Sequence, residues 1–150
     1  MKSVKQIKLV EEGIILNVNY SRTLKEMIIA GNYDWINGDI KEKNFPLPTE
    51  LLGKKITASN KLFHFNRSIS SENAISEMNK AGYRPATLAE LLALGEAYPE
   101  QQKEFPIVAL GSIWCRTVPG FGFVDFERRL GLAWFGIGWE YNYRFLAVRK

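Results

Sequence analysis

The chain of 150 residues has one cysteine, Cys115, and one histidine, His64. A lone cysteine leaves no disulfide within the chain. As a general base or metal ligand, His64 would need partners that the sequence does not place, so it reads as a structural or surface histidine. Long apolar runs are missing too. The longest fall far short of a bilayer, and residues 1–10 alternate charged and apolar types without the apolar core of a signal peptide. The expectation is a protein that does not insert into membranes and resides in the cytoplasm; a role at the cell surface would need another means of export. No basic run exists either: 20 Lys and Arg against 16 Asp and Glu give a net charge of +4, spread from Lys2 to Lys150. Such scatter gives mild attraction to acidic partners and little more. Repeats, low-complexity tracts and linkers are absent, so residues 1–150 read as a single domain.

What the chain has is aromatic side chains, 13% of the total and concentrated toward the C-terminal half. That surplus has to be buried or used in binding. Helix signals come next. Thr23-Leu24-Lys25-Glu26 and Thr87-Leu88-Ala89-Glu90 have capping-box spacing, and between them Ser70-Ser71-Glu72 opens the second of three helices. Leu24, Met27 and Ile28 form the inner face of the first. Ala74, Ile75, Met78 and Ala81 form that of the second, which Gly82 stops, and Leu88, Leu91, Leu92 and Gly95 that of the third. Ile7 and Leu9 face residues 14–20 across Glu11-Glu12-Gly13, which reads as a hairpin turned at Gly13. Residues 55–65 and 107–110 read as extended. Residues 112–117 and 122–126 read as strands separated by Pro119-Gly120. Residues 32–54 look irregular, pinned by Tyr33, Trp35 and Phe45. These elements make an α+β protein.

The C-terminal stretch, residues 128–150, divides in two. Tyr143, Phe145, Ala147 and Arg149 alternate with Arg144, Leu146, Val148 and Lys150, as a pleated strand requires. Before it, Phe135-Gly136-Ile137-Gly138 lies between Trp134 and Trp139 and fits neither helix nor strand period. Glycines alternating with large apolar residues make a poor core strand. An exposed loop held by a tryptophan at each end suits them better, and such loops carry recognition. Trp114, Trp134, Trp139 and Phe145 then read as core or framework, and Phe135, Tyr141 and Tyr143 as displayed.

Gly82-Tyr83-Arg84-Pro85-Ala86-Thr87-Leu88-Ala89-Glu90 resembles the strand-to-helix junction of the formylglycine-generating-enzyme branch of the C-type lectin fold. The preceding helix, the aromatic strands and a last strand of the form Tyr143-Arg144-Phe145-Leu146-Ala147 follow the same order over about the last ninety residues. The C-terminal stretch looks like that of the variable proteins of diversity-generating retroelements, which use this fold, including those of archaea. The resemblance implies small antiparallel sheets with two to three short helices, and residues 6–10 beside residues 144–148. It also implies a variable region at about 115–145 that binds a ligand, expected to be a protein, from a monomer.

In that family an error-prone reverse transcriptase alters template adenines, chiefly in Asn codons. Randomising the first two bases of such a codon never yields Trp, Met, Lys, Glu or Gln. Gly131, Ala133, Phe135, Gly136, Ile137, Gly138, Tyr141, Asn142 and Tyr143 are all reachable and form the candidate binding set. Trp134, Trp139 and Glu140 are not reachable and would be framework.

Departures from related families bound the chemistry. The Glu-Pro-Asn type triplet and the Trp-Asn-Asp of calcium-dependent lectins are absent, Trp134 being followed by Phe135-Gly136, and calcium needs six or more oxygen ligands. Formylglycine-generating activity relies on a cysteine pair, and Cys115 has no partner. Cys115, beside Trp114, reads as a small buried hydrophobe in a strand. Gly136-Ile137-Gly138 lacks the third glycine, the Lys-Ser/Thr pair and the helix of a phosphate loop. Glu11-Glu12 reads as a turn, and Asp125 with Glu127 as an exposed strand face. No nucleophile–base pair, metal set or cofactor motif is present, which points away from an enzyme. The alternative to protein binding is a nucleic-acid platform in which Arg116, Arg128, Arg129, Arg144 and Arg149 alternate with Phe121, Phe123, Phe126, Tyr141 and Tyr143.

Overall fold

Local capping chemistry decides where the helices begin. The computed structural model describes residues 11–150, and among them Leu24–Ala30 (α1), Ser71–Lys80 (α2) and Leu88–Ala97 (α3) are α-helical. The Thr23 hydroxyl accepts from Glu26 N while the Glu26 carboxylate accepts from Thr23 N, at 3.1 and 2.8 Å. Thr87 and Glu90 repeat this box at α3, and Arg84 clamps the Glu90 carboxylate with contacts of 3.0 and 2.7 Å. Those bonds fill donors that a helix start otherwise leaves open. Gly82, at φ +87°, takes the left-handed conformation that releases the chain from α2.

Eight strands among the described residues form one sheet. They are Ile14–Asn19 (β1), Trp35–Ile36 (β2), Lys55–Phe63 (β3), Tyr83–Pro85 (β4), Ile107–Val108 (β5), Thr117–Val124 (β6), Glu127–Trp134 (β7) and Arg144–Arg149 (β8). Their order is β1-β3-β8-β5-β6-β7-β2, with β4 added on β8. β8 is the hub. β3 runs antiparallel along one edge of it, with Phe63 opposite Phe145. The other edge is shared: β5 lies parallel to its first half and β4 antiparallel to its second.

Period-two alternation along β8 feeds a core on each face of the sheet. Leu146 and Val148 join Ile14, Leu16, Leu91 and Ile107 under α1 and α3. Phe145 and Ala147 join Phe63, Met78, Val108 and Trp139 under α2. Each large side chain so enclosed contributes roughly 1.5–3 kcal/mol, which helps a strand as short as Ile107–Val108, both of whose residues are buried, to hold its place.

Several expectations need correcting. Instead of small antiparallel sheets there is one mixed sheet, because β4 and β5 both return to one edge of β8 and join its halves; β5–β8 and β2–β7 are parallel. Residues 112–117 are not a strand. Trp114 bridges to Thr117 across a tight turn in which Cys115 and Arg116 have φ of +49° and +62°. Cys115 is therefore exposed rather than buried. Pro119-Gly120 does not divide two strands but lies within β6. The Pro119 carbonyl accepts from Ala109 N (3.0 Å), and a Cβ on Gly120 would come within 2.9 Å of Val108 Cγ1, so only glycine lets β5 approach. β6 ends at Val124, short of the 122–126 expected, and Asp125 and Phe126 form the turn into β7. Tyr33 and Phe45 pack on the first core, whereas Trp35 lies exposed at the sheet edge. β1 pairs with β3; Ile7 and Leu9, and the placing of residues 6–10 beside β8, lie outside the described residues.

Candidate ligand-binding surface

β7 ends at Trp134, and residues 135–138 turn outward before Trp139 brings the chain back to the body. The return is fixed by a bridge to Ile69, in which Trp139 N donates to Ile69 O (2.8 Å) and Ile69 N to Trp139 O (3.1 Å). Trp139 is 4% exposed. Its indole N–H donates to Ser71 Oγ (2.8 Å), and the Ser71 hydroxyl donates to the Phe135 carbonyl (2.7 Å). One buried hydroxyl thus ties both ends of the loop to the first residue of α2. Phe135 N donates to the Arg116 carbonyl (2.8 Å), which joins the loop to the 115–116 turn.

The second half, residues 140–143, is held from the other side. His64 Nε2 donates to the Tyr141 carbonyl (3.0 Å); a carbonyl only accepts, so in this bond Nε2 carries the proton. The Arg144 guanidinium donates to the Asn142 carbonyl (3.1 Å) and lies over the Phe105 ring at 4.0 Å. Burial lowers the Arg144 pKa, and Glu11, 3.7 Å away, opposes that shift.

The nine candidate residues divide by depth. Ile137 (61% exposed), Tyr141 (62%), Gly136, Gly138 and Asn142 face solvent. Ala133 and Phe135 are half-buried against the second core, and Tyr143 rests on the Trp139 ring at a centroid distance of 5.1 Å. Gly131 sits within β7 opposite Gly120, close under the Trp35 ring. Trp139 and Phe145 are core, as the sequence suggests, and Trp114 is partly buried against the first core. Trp134 is not core. It is 57% exposed: it lies on the same face of β7 as the buried Leu130, but as the strand's last residue it lies beyond the core.

Trp134, Ala133, Ile137, Gly138, Trp139, Glu140 and Tyr143 enclose a shallow groove of about 300 Å³. Ser71 is the part of this site that sequence reasoning missed; His64 was read only as a structural or surface histidine and Glu140 only as framework. The signal for Ser71 was available: of the two serines at the start of α2 only Ser70 caps, leaving the other hydroxyl to find a separate partner.

The arginines of the nucleic-acid alternative do not form one face. Arg128 is buried and donates to the carbonyls of Gly31, Asn32 and Gly95, Arg129 pairs with Glu127, and Arg149 lies over Tyr83. Phe121 is in the core. Among the described residues no group of three His, Cys, Asp or Glu could hold a metal ion, and no helix is long and apolar enough to cross a membrane. Comparison with protein-family models, curated proteins and solved structures finds no match.

Proposed function

We propose that this chain is a ligand-binding scaffold of the C-type lectin-like kind, a variable protein of a diversity-generating retroelement, whose region at about 115–145 presents exchangeable side chains to a protein ligand. The observation that carries the reading is the division of labour in residues 135–143. Their main chain is held from beneath by Ser71, Trp139, Arg116 and His64, while Gly136, Ile137, Gly138, Tyr141 and Asn142 point away from any core. A backbone fixed by constant residues tolerates almost any outward side chain, because exposed substitutions usually stay within roughly 0.5 kcal/mol. Tyr and Phe also give large, rigid contact area for little entropy, as paratopes do. The succession of a strand, two capped helices and a hub strand before the C-terminus suits the lectin-like fold.

The test lies in the gene. A near-identical copy of this stretch should lie near a reverse-transcriptase gene, differing only where the template has adenine. Asn codons should face Gly131, Ala133, Phe135, Gly136, Ile137, Gly138, Tyr141 or Tyr143, with Trp134 and Trp139 encoded alike in both. Differences spread evenly along the gene, or no second copy, would overturn the reading. Nucleic-acid binding is the rival. It predicts affinity falling by orders of magnitude over a modest rise in salt, which apolar protein recognition does not.

A further inference from the structure

The groove beside the loop has a composition that selects its occupant. Its walls are aromatic and apolar, and among the described residues Glu140 is the only acidic or basic side chain lining it. Glu140 is exposed and makes no ion pair among the described residues. Trp134 is equally unoccupied: among those residues its ring meets no aromatic or cationic partner. That contrasts with rings elsewhere in the molecule. Phe105 carries Arg144, Tyr33 carries Arg128, Trp35 carries Arg129 and Phe63 carries Lys61, at 4.0 to 5.5 Å.

An open indole face, a phenol ring and an unpaired carboxylate are the parts of a cation site. The ring quadrupoles attract positive charge, and the carboxylate supplies a directed ion pair. At about 300 Å³ the groove matches the lower end of ligand sites, which run roughly 300–1,000 Å³. That favours one long side chain over a whole small molecule. Among basic side chains, arginine is planar enough to lie on the indole while its fork meets a carboxylate, whereas lysine offers a compact, strongly hydrated charge.

We propose that this groove receives an arginine side chain presented by the protein partner, stacked on Trp134 and paired with Glu140. The proposal rests on the reading of this surface as a protein-binding one and names the chemistry of one contact there. Backbone amide NMR of the full chain would test it, with N-acetyl-L-argininamide as probe. Its neutral isostere N-acetyl-L-citrullinamide and choline serve as controls. Saturable shifts at Ala133, Gly138 and the Trp139 indole N–H in the millimolar range are expected, with citrullinamide and choline at least about tenfold weaker. Glu140→Gln and Trp134→Ala should each weaken argininamide severalfold. Both residues are exposed, so unchanged thermal melts would separate this from loss of folding. Equal binding of citrullinamide, tighter binding of choline, shifts centred elsewhere, or Glu140→Gln binding like the native chain would each overturn it. None of those outcomes bears on whether the gene carries a second copy, so the two readings fail separately.

Discussion

At the scale of single residues, the loop's stability is concentrated in what lies beneath it. Trp139→Ala and Phe145→Ala each remove a buried ring, a loss expected at about 3–5 kcal/mol. Ser71→Ala strands the Trp139 N–H and the Phe135 carbonyl in a buried place and should cost about 1–3 kcal/mol. Ile137→Ala and Tyr141→Ala should stay within about 1 kcal/mol. Phe135, half-buried against the second core, should fall between the two groups. Urea titration of the six variants would rank them; comparable losses at Ile137 and Ser71 would show that the loop bears core load after all. The sequence told Trp139 and Phe145 apart from Ile137 and Tyr141, but it misjudged Trp134. A residue's type reports how much apolar surface it carries. Whether that surface is covered depends on where a strand reaches the sheet's rim.

Among the elements, the 125–126 turn stands out. Two-residue hairpin turns with positive φ at both positions favour Asn-Gly, yet Asp125 and Phe126 hold φ of +53° and +63°. Phe126 is 92% exposed, so burial does little to offset the conformational cost, which is roughly 1–2 kcal/mol for a side chain in this region. Phe126→Gly should therefore raise the melting temperature by a few degrees, as about 1 kcal/mol does in a domain of this size. A lower melting point would mean that the Phe123–Phe126 ring contact outweighs the strain. Gly120→Ala should act oppositely by pushing β5 off β6, and calorimetry would show the loss. The same contrast marks what was legible. The helices were readable because a capping box and an apolar stripe are local, and Thr23, Ser70 and Thr87 start them as expected. The 115–116 turn carries no glycine to announce it, while Pro119-Gly120 announces a break that the neighbouring strand cancels.

Over the whole molecule, the two cores share β8, with Leu146 in one and Phe145 in the other. Neither can melt alone, so heat should produce one transition with equal calorimetric and van't Hoff enthalpies. A resolved second transition would show that the α2 side unfolds independently. No local pattern foretold this arrangement, because the pairings that make β8 central reach back to residues 60–63, 83–85 and 107–108.

That placement also sets an order of events in time. β1 and β3 reach β5, β6 and β7 only through β8, the last of the described strands to leave a ribosome. Until it arrives the nascent sheet lies in unconnected parts, β1 with β3, β5 with β6, β7 and β2, and β4 by itself, each presenting the bare edge that β8 will occupy. Contacts that distant in sequence form slowly, and open strand edges recruit other chains. Folding therefore waits on the same terminal stretch whose neighbouring loop carries the exposed side chains, and a lesion that delays β8 would surface first as aggregation during synthesis, while the finished protein could still melt normally.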